Sequence, residues 1–353
     1  MGTSKKRKHV LARLLRHDPV PWLLSSDDRA ITTFVERDLL GEEVDTKKLG
    51  EAPEAQRVLR RQQTDGAWRY PREKPSPYNY DLYETLNALG VLVSKYGFDR
   101  RHPAVAQGAA YVFSCQAPEG DYRGIFGNQP DPTHTPILME VLIEAGFQQH
   151  ESIERAFRWL LETRQDDGGW AIPARTRGKK LAGDWEGAAF GDPIEPDRSK
   201  PFSHVVTGMV LRAFAAHPRY RGSQPANDAA TMLKTRFFKS DKYPDRRGRE
   251  YWTKFTFPFT YPDILTSLDT LGRMGLSADD PDIGSAIAWF EKKQKPDGSF
   301  DLDMRRGTSD ERLPYWLGLA ICRALRRFEP TRLGVEAGGR PLCQASPPQD
   351  PDR

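Results

Sequence analysis

The chain has 353 residues, 38% of them hydrophobic, which is enough for a substantial core, so it is predicted to be globular. The formal net charge is only +4 with both signs interspersed, which argues against nucleic acid as a partner. No stretch approaches the roughly 18 apolar residues of a membrane span, so no transmembrane segment is predicted. The scattered Cys115, Cys322 and Cys343 form no disulfide framework, which favours free thiols and a cytoplasmic location.

A short motif recurs along the chain, in which a glutamine is followed by a glycine and then by an aromatic residue two positions later. Its copies are Gln63/Gly66/Trp68, Gln116/Gly120/Tyr122, Gln165/Gly168/Trp170 and Gln294/Gly298/Phe300. Successive glutamines are separated by 53, 49 and 129 residues, and the longest gap holds a degenerate copy near 233–237. A period of about 50 residues indicates a repeat architecture.

In chain order, residues 1–50 are predicted to be an N-terminal helical extension, followed by alternating outer and buried helices. Outer helices, with one polar face, are predicted at 54–62, 104–116, 152–165 and 282–294. Buried helices, apolar on most faces, are predicted at 80–97, 134–146, 203–218, 262–275 and 313–328. Residues 331–353 are rich in Gly, Pro and polar residues and are predicted to be a disordered tail.

Helix pairs of this kind form either an open solenoid or a closed ring. The last buried helix, 313–328, has no outer helix after it, while the outer helix 54–62 precedes the first buried helix. We therefore expect these two helices to be partners where the ends meet. The predicted fold is an all-α α/α toroid of about five to six repeats over residues 51–330.

The repeated motif resembles the QW motifs of squalene/hopene cyclases and of protein prenyltransferase β subunits. The resemblance covers roughly residues 54–328 and implies an α/α toroid. This chain is long enough for about one toroid, whereas squalene/hopene cyclases combine two barrel domains. In that superfamily the glutamine and the aromatic ring interlock neighbouring repeats. The resemblance therefore implies a structural clasp rather than catalysis for Gln63, Trp68, Gln116, Tyr122, Gln165, Trp170, Gln294 and Phe300.

The loops that follow each clasp should gather at one end of the ring, around the mouth of a central cavity. Asp81, His134, His204 and Asp263 stand at the starts of buried helices and are the candidate catalytic residues. They could form a polar site of two imidazoles and two carboxylates, or they could be helix caps and a polar rim. Zinc, held by His134, His204 and Asp263, is the candidate cofactor.

The motifs that would specify the chemistry are missing from the sequence. Protein prenyltransferases place an Asp/Cys/His zinc site in this region, but no Asp-x-Cys begins a buried helix here. Neither the Asp-x-Asp-Asp run of protonating terpenoid cyclases nor an Asp-Asp-x-x-Asp magnesium motif is found; the nearest copies are Asp301/Asp303 and Asp279/Asp280/Asp282. The resemblance thus indicates the fold more strongly than the reaction.

Aromatic residues crowd the same end of the ring and could hold an isoprenoid or stack on a sugar. The predicted cavity aromatics are Tyr80, Trp252, Phe257, Phe259, Tyr261 and Trp316. The long segment 171–202 is either a lid, with Asp184, Trp185 and Glu186 facing inward, or an insertion.

Three function classes remain open. An enzyme or binding protein for an isoprenoid or other apolar small molecule is favoured. A non-catalytic scaffold toroid is the next alternative. The third is an α/α-barrel carbohydrate-active enzyme, for which Asp81 and Asp263 would have to face each other across the cavity.

Overall fold

The computed structural model describes residues 11–71, 78–178, 189–243, 248–259, 261–305 and 310–329, and most of these residues are helical. The predicted tail at 331–353 lies outside the described residues. Asp184, Trp185 and Glu186, which are predicted to face inward from segment 171–202, lie outside them as well. None of the helices in the described part of the chain is long and apolar enough to cross a bilayer.

The inner helices of the described chain are buried nearly all round, as their apolar composition predicts. They are α2 (Arg29–Val35), α4 (Tyr80–Gly90), α6 (His134–Leu142), α9 (His204–Ala216), α11 (Ile264–Arg273) and α13 (Leu313–Arg326). Every residue of α6 is buried, and α9 is buried from its first residue to Ala215. Turns of π-helix extend α2, α4 and α6 over Glu36–Leu40, Val91–Lys95 and Ile143–Phe147.

The remaining helices are shorter or amphipathic and lie outside the inner ones. They are α1 (Val20–Leu24), α3 (Pro53–Arg60), α5 (Pro103–Ser114), α7 (Glu151–Glu162), α8 (Pro173–Thr176), α10 (Gln224–Lys234) and α12 (Pro281–Lys293). Turns of 3₁₀-helix occupy Leu11–Arg13, Thr46–Glu51 and Arg249–Thr253. A parallel pair of two-residue strands, β1 (Lys254–Phe255) and β2 (Asp303–Met304), joins two loops.

The inner helices pack in sequence order: α4 on α6, α6 on α9, α9 on α11, and α11 on α13. The ring then continues from α13 to α2, where Phe34 meets Trp316 edge to face with ring centroids 6.3 Å apart. The predicted all-α toroid is confirmed.

The N-terminal segment, rather than helix α3, packs against the last inner helix. Helix α13 contacts Leu11–Arg13, α1 and α2, whereas α3 packs against the turns Thr46–Glu51 and Val91–Lys95. The expected pairing of helix 54–62 with helix 313–328 is therefore wrong. Sequence periodicity missed the partner because α1 and α2 are only five and seven residues long, too short to show a helical pattern.

Each clasp joins two successive repeats through the side-chain amide of its glutamine. The Gln116 amide donates both to Gly120 O (2.7 Å) within its own turn and to Ser152 O (2.8 Å) at the start of the next outer helix, α7. The Gln294 amide donates to His17 O, and Gln294 Oε1 accepts from His17 N, both at 2.8 Å. The last clasp thus binds the N-terminal segment in the same way as the second clasp binds α7. This contact between the two ends of the chain closes the ring.

The first clasp uses Gln62 instead of the predicted Gln63. The Gln62 amide donates to Gly66 O (2.9 Å) and to Ala104 O (2.8 Å), whereas Gln63 is exposed and its amide reaches only Arg61 O. Reaching the glycine carbonyl requires a spacing of four residues, which Gln116 and Gln294 share. In the third clasp Arg164 has this place and donates to Gly168 O (2.9 Å).

Aromatic residues lock three of the clasps onto the inner helices. The backbone amides of Trp68, Tyr122 and Trp170 donate to the buried hydroxyls of Thr85, Thr135 and Thr207, at 3.0, 2.9 and 2.9 Å. The three rings are at most 1% exposed. This burial agrees with the structural role that the motif predicts.

The clasp glycines are required by both backbone conformation and space. Gly66, Gly120 and Gly298 have φ of +89°, +117° and +88°. A Cβ added to each would lie 2.3 to 2.7 Å from a backbone carbonyl oxygen, that of Gln107, Arg155 and Asp18 respectively. Neighbouring repeats therefore approach each other at a distance that only glycine allows.

Replacing Gln62 and Gln63 separately by Ala tests the first clasp with two adjacent residues. Gln62→Ala removes two hydrogen bonds, one within the turn and one to the next repeat, and should lower the free energy of unfolding by about 1–2 kcal/mol. Gln63→Ala should change it by less than about 0.5 kcal/mol because this side chain is exposed. Urea unfolding followed by circular dichroism measures both. A larger loss for Gln63→Ala than for Gln62→Ala would contradict the observed register.

Candidate functional site

A cavity of about 520 Å³ lies inside the ring. All the inner helices except α2 contribute to its wall, together with the segment 255–259, which starts at the last residue of β1. Its volume is within the range of about 300–1,000 Å³ typical of small-molecule sites.

One part of the cavity wall is apolar. Its residues are Leu86, Gly90 and Val91 near α4, Ile137 and Val141 on α6, Leu313 and Ala320 on α13, and Phe255, Phe257, Pro258 and Phe259 in the loop. Phe257 stacks on Trp316, with ring centroids 5.1 Å apart and planes 10° apart, and meets Phe259 edge to face at 5.2 Å. The loop therefore presents fixed aromatic rings to the interior of the cavity.

The rest of the wall is a charged layer of ion pairs that connects the inner helices. Asp269 pairs with Arg273 (2.7 Å) and Arg327 (2.6 Å), and Arg273 also pairs with Glu144 (2.7 Å). Burial alone would raise the pKa of Asp269, but the two arginines outweigh this effect and lower it. The carboxylate is thus ionised at neutral pH.

Two further pairs complete the charged layer. Arg212 on α9 meets Glu140 on α6 at 2.6 Å and also donates to Phe259 O at 3.0 Å. Arg323 meets Asp38 at 2.5 Å, which ties α13 to the N-terminal segment. Sequence reasoning missed this layer. The available signal was a single charged residue inside an otherwise apolar helix, as in "LMEVL", "VLRAF" and "SLDTL".

None of the four predicted catalytic residues is among the described residues that line this cavity. Asp81 is partly exposed; it pairs with Arg69 at 3.0 Å and accepts a hydrogen bond from Tyr70 N at 2.8 Å. It therefore anchors the chain just after the first clasp.

His134 forms a buried pair with Asp131. Its Nδ1 lies 2.8 Å from Asp131 Oδ2, and its ring meets Phe126 and Tyr83 edge to face at 4.9 and 5.8 Å. Burial would raise the pKa of Asp131, but His134 and the Thr133 hydroxyl outweigh it and lower the pKa. Asp131, which the sequence did not single out, thus orients the imidazole.

His204 lies in a separate buried cluster. Its Nδ1 is 3.7 Å from Asp241 Oδ2, too far for a hydrogen bond, and its ring stacks on Trp252 at 4.8 Å. Burial lowers the pKa of His204 to about 4, with Asp241 opposing the shift, so the imidazole is neutral at pH 7.

Asp263 is the N-cap of α11. Its carboxylate accepts from Thr266 N at 2.8 Å, and Thr266 Oγ1 accepts from Asp263 N at 2.8 Å, which completes a capping box. Burial raises the pKa of this carboxyl to about 7 despite these hydrogen bonds.

Within the described residues, no three His, Cys, Asp or Glu side chains converge as metal ligands would. The candidate zinc site of His134, His204 and Asp263 is therefore not formed: each of the three is held by different neighbours. Asp81 anchors the chain after the first clasp, and Asp263 caps α11. The two carboxylates are therefore not set facing each other across the cavity, as a glycosidase requires.

The predicted cavity aromatics occupy several environments. Phe257 and Phe259 line the cavity, Trp316 packs behind Phe257, and Trp252 packs on His204. Tyr261 lies under the guanidinium of Arg305 at 4.3 Å, and Tyr80 packs against Tyr70 and Tyr78.

The described end of segment 171–202 is attached to the body of the protein. Asn128 N donates to Ala189 O (2.9 Å), and the Gln129 side chain bonds to both Asp192 O (3.1 Å) and Ile194 N (3.0 Å). The Gln165 amide donates to Asp197 O (2.8 Å) and Lys200 O (2.9 Å). The third clasp thus binds this segment. The first and second clasps instead bind the start of an outer helix, and the fourth binds the segment before α1.

Residues 137–311 match the family model of the squalene-hopene cyclase C-terminal domain. The predicted resemblance to the squalene/hopene cyclase superfamily is confirmed. The matched region begins inside α6 and ends just before α13, so it includes most of the cavity wall.

Solved structures similar to the chain include the type II terpene cyclase MstE from Scytonema without ligand, at 17% identity and a TM-score of 0.46, over 77% of this chain and 74% of that one. A variant of MstE in complex with its product merosterolic acid A has 17% identity and a TM-score of 0.47, over 80% and 78% of the chains. A family 88 glycosyl hydrolase from Bacteroides vulgatus has 11% identity and a TM-score of 0.42, over 92% and 98%. No curated protein matches the sequence.

The buried carboxyl of Asp263 should make stability depend on pH. An unfolded Asp titrates near pH 4, so the folded chain retains a proton between about pH 4 and 7 that the unfolded chain releases. The free energy of unfolding should therefore fall as pH rises through this window. Asp263→Asn keeps a capping side chain without a titrating group.

Urea unfolding of the wild type and of Asp263→Asn at half-unit pH steps measures this effect. The wild-type value minus the variant value should decrease from pH 4 to 7 and be level above. A difference that is constant over the whole range would show that Asp263 is ionised when folded.

Proposed function

We propose that this protein binds an isoprenoid, or another extended apolar small molecule, in the central cavity. The observation that carries the proposal is the cavity wall of aliphatic residues and of the rings Phe255, Phe257 and Phe259 at the centre of a cyclase-like toroid. Aromatic faces and branched aliphatic side chains favour hydrocarbon chains through dispersion and loss of apolar surface from water.

The cavity also argues against the scaffold alternative. A scaffold toroid needs no internal space, and filling a core normally stabilises it. Here Gly90 leaves room on α4: a Cβ at this position would have Pro258 as its nearest neighbour, at 4.0 Å. The inner ring has kept an open volume where a larger side chain would fit.

Filling the cavity tests the proposal. Gly90→Leu places a branched side chain in the cavity at a helical position, where the backbone accepts it. Farnesol and geranylgeraniol are the probes, and titration calorimetry and the shift in melting temperature measure their binding. Wild type should bind at least one of them with micromolar affinity, and Gly90→Leu should weaken binding at least tenfold.

Thr231→Leu is the matched control, because it adds the same side chain at an exposed position on the outer helix α10. It should bind the probe like wild type. Failure of wild type to bind either alcohol, or undiminished binding by a folded Gly90→Leu, would rule out the cavity as an isoprenoid site.

A second candidate function is transformation of the bound molecule at His134. His134 precedes Ile137 and Val141 by three and seven residues on α6, so it belongs to the helix face that lines the cavity, about one turn nearer the helix start. Tyr83 stands in the same relation to Leu86 and Gly90 on α4. Asp131 fixes the imidazole through Nδ1, the arrangement by which a carboxylate orients a histidine for proton transfer at Nε2.

His134→Gln tests this role. Wild type incubated with geranylgeraniol should form a product detectable by gas chromatography and mass spectrometry. His134→Gln should lose at least 99% of product formation and bind geranylgeraniol within about threefold of wild type. Equal product formation by both proteins would exclude His134 from the chemistry.

A further inference from the structure

We infer that the ligand of the central cavity carries an anionic oxygen group, a carboxylate or a phosphate, at one end of its apolar chain. This inference rests on the proposed function and narrows its substrate class. It depends on Arg305 and Arg212, which line the cavity beside the aromatic loop.

Arg305 is a half-buried cation whose guanidinium makes no ion pair with a carboxylate of the described residues. Its carbon Cζ lies 4.3 Å from the centre of the Tyr261 ring and 4.7 Å from that of Tyr251. The backbone amide of Arg305 donates to Phe255 O at 2.9 Å, which holds the residue against the aromatic loop. Two tyrosine rings thus fix a positive charge at the cavity wall.

The other cavity arginines differ from Arg305 in this respect. Arg273, Arg323 and Arg327 each pair with an aspartate of the charged layer at 2.5 to 2.7 Å. Their charges are therefore balanced by the protein itself. Arg305 differs because, among the described residues, no carboxylate pairs with it. With a neutral hydrocarbon in the cavity, its charge would therefore have no anionic partner.

Arg212 adds an unused donor at the same wall. The residue is 5% exposed; its Nε and Nη2 atoms bond to Glu140 and to Phe259 O, while Nη1 is buried and has no hydrogen-bond partner in the described chain. Leaving a buried donor unsatisfied is unfavourable, and a ligand oxygen would satisfy it. Both arginines contact the chain near the aromatic loop. Arg212 donates to Phe259 O, and Arg305 lies over the ring of Tyr261.

The apolar surroundings strengthen the attraction of an anion to this wall. Phe255, Phe257 and Phe259 make this part of the wall apolar, and a charge pair beside apolar groups interacts more strongly than one in bulk solvent. A guanidinium also binds the two oxygens of a carboxylate or phosphate together. The ligand thus has an oxygen-rich end at Arg305 and an apolar chain along Ile137, Val141 and Gly90.

Matched ligands of one chain length separate the head group from the chain. Geranylgeraniol, geranylgeranoic acid and geranylgeranyl monophosphate are titrated into wild type, and each dissociation constant is compared with that of the alcohol. At least one of the two anions should bind at least tenfold more tightly than the alcohol. The better of the two identifies the head group as a carboxylate or a phosphate.

Substitutions at Arg305 assign the preference to this side chain. Arg305→Gln should reduce the preference for the anion to about twofold or less, with the affinity for geranylgeraniol within about twofold of wild type. Arg305→Lys keeps the charge and should retain most of the preference. Arg101→Gln, at an exposed ion pair with Asp99, is the control and should behave like wild type. Circular dichroism and melting temperatures establish that each variant is folded.

The outcomes distinguish this inference from the proposed function. If the alcohol binds as tightly as both anions, the anionic head group is excluded. If the preference persists in a folded Arg305→Gln, the placement of that group at Arg305 is wrong. Isoprenoid binding stands in both cases. If no geranylgeranyl compound binds, the proposed function fails and the inference fails with it.

Discussion

The close contact of three of the clasps with the next repeat is the constraint on which the ring depends. A glycine in the left-handed region brings its turn against a backbone carbonyl of the neighbouring repeat, and a glutamine amide bonds to the start of that repeat. These contacts set the distance between neighbouring repeats. Because Gln294 and Gly298 make the same contacts with His17 and Asp18, the chain forms a ring in which its N-terminal segment meets its last inner helix.

Once the ring is closed, its centre must be filled or lined. The inner helices meet most of this requirement with aliphatic side chains, but several of them also direct one charged residue toward the axis. The resulting ion pairs, such as Arg212 with Glu140 and Arg273 with Asp269, join helices that are distant in the sequence. Taking charges out of water is costly even when they are paired, so we do not expect this charged layer to add large net stability.

The cavity wall combines an apolar part with a positive charge. The apolar wall with Phe257 and Phe259 suits a hydrocarbon chain, and the charge of Arg305 suits an anion. His134, oriented by Asp131, stands at the start of the same helix face. The proposed amphipathic isoprenoid acid or phosphate would contact all of these features together.

The sequence by itself determined the all-α toroid fold and the alternation of inner and outer helices, because these follow from local periodicity and repeated motifs. It also predicted a structural role for Trp68 and Trp170, whose rings are buried. It could not decide whether Gln62 or Gln63 forms the clasp, since adjacent amides differ only in the direction of their side chains. It also assigned the last helix the wrong partner, because α1 and α2 are too short to show periodicity.

The candidate site depended still more on tertiary structure. Asp81, His134, His204 and Asp263 all stand near the starts of inner helices, yet one anchors the chain beside a clasp, two lie in separate buried clusters and one caps a helix. The rings that contact the two imidazoles, Tyr83 on His134 and Trp252 on His204, come from other segments of the chain, which periodicity does not reveal. Only the closed ring places Arg212 from one repeat and Arg305 from another at the same cavity wall.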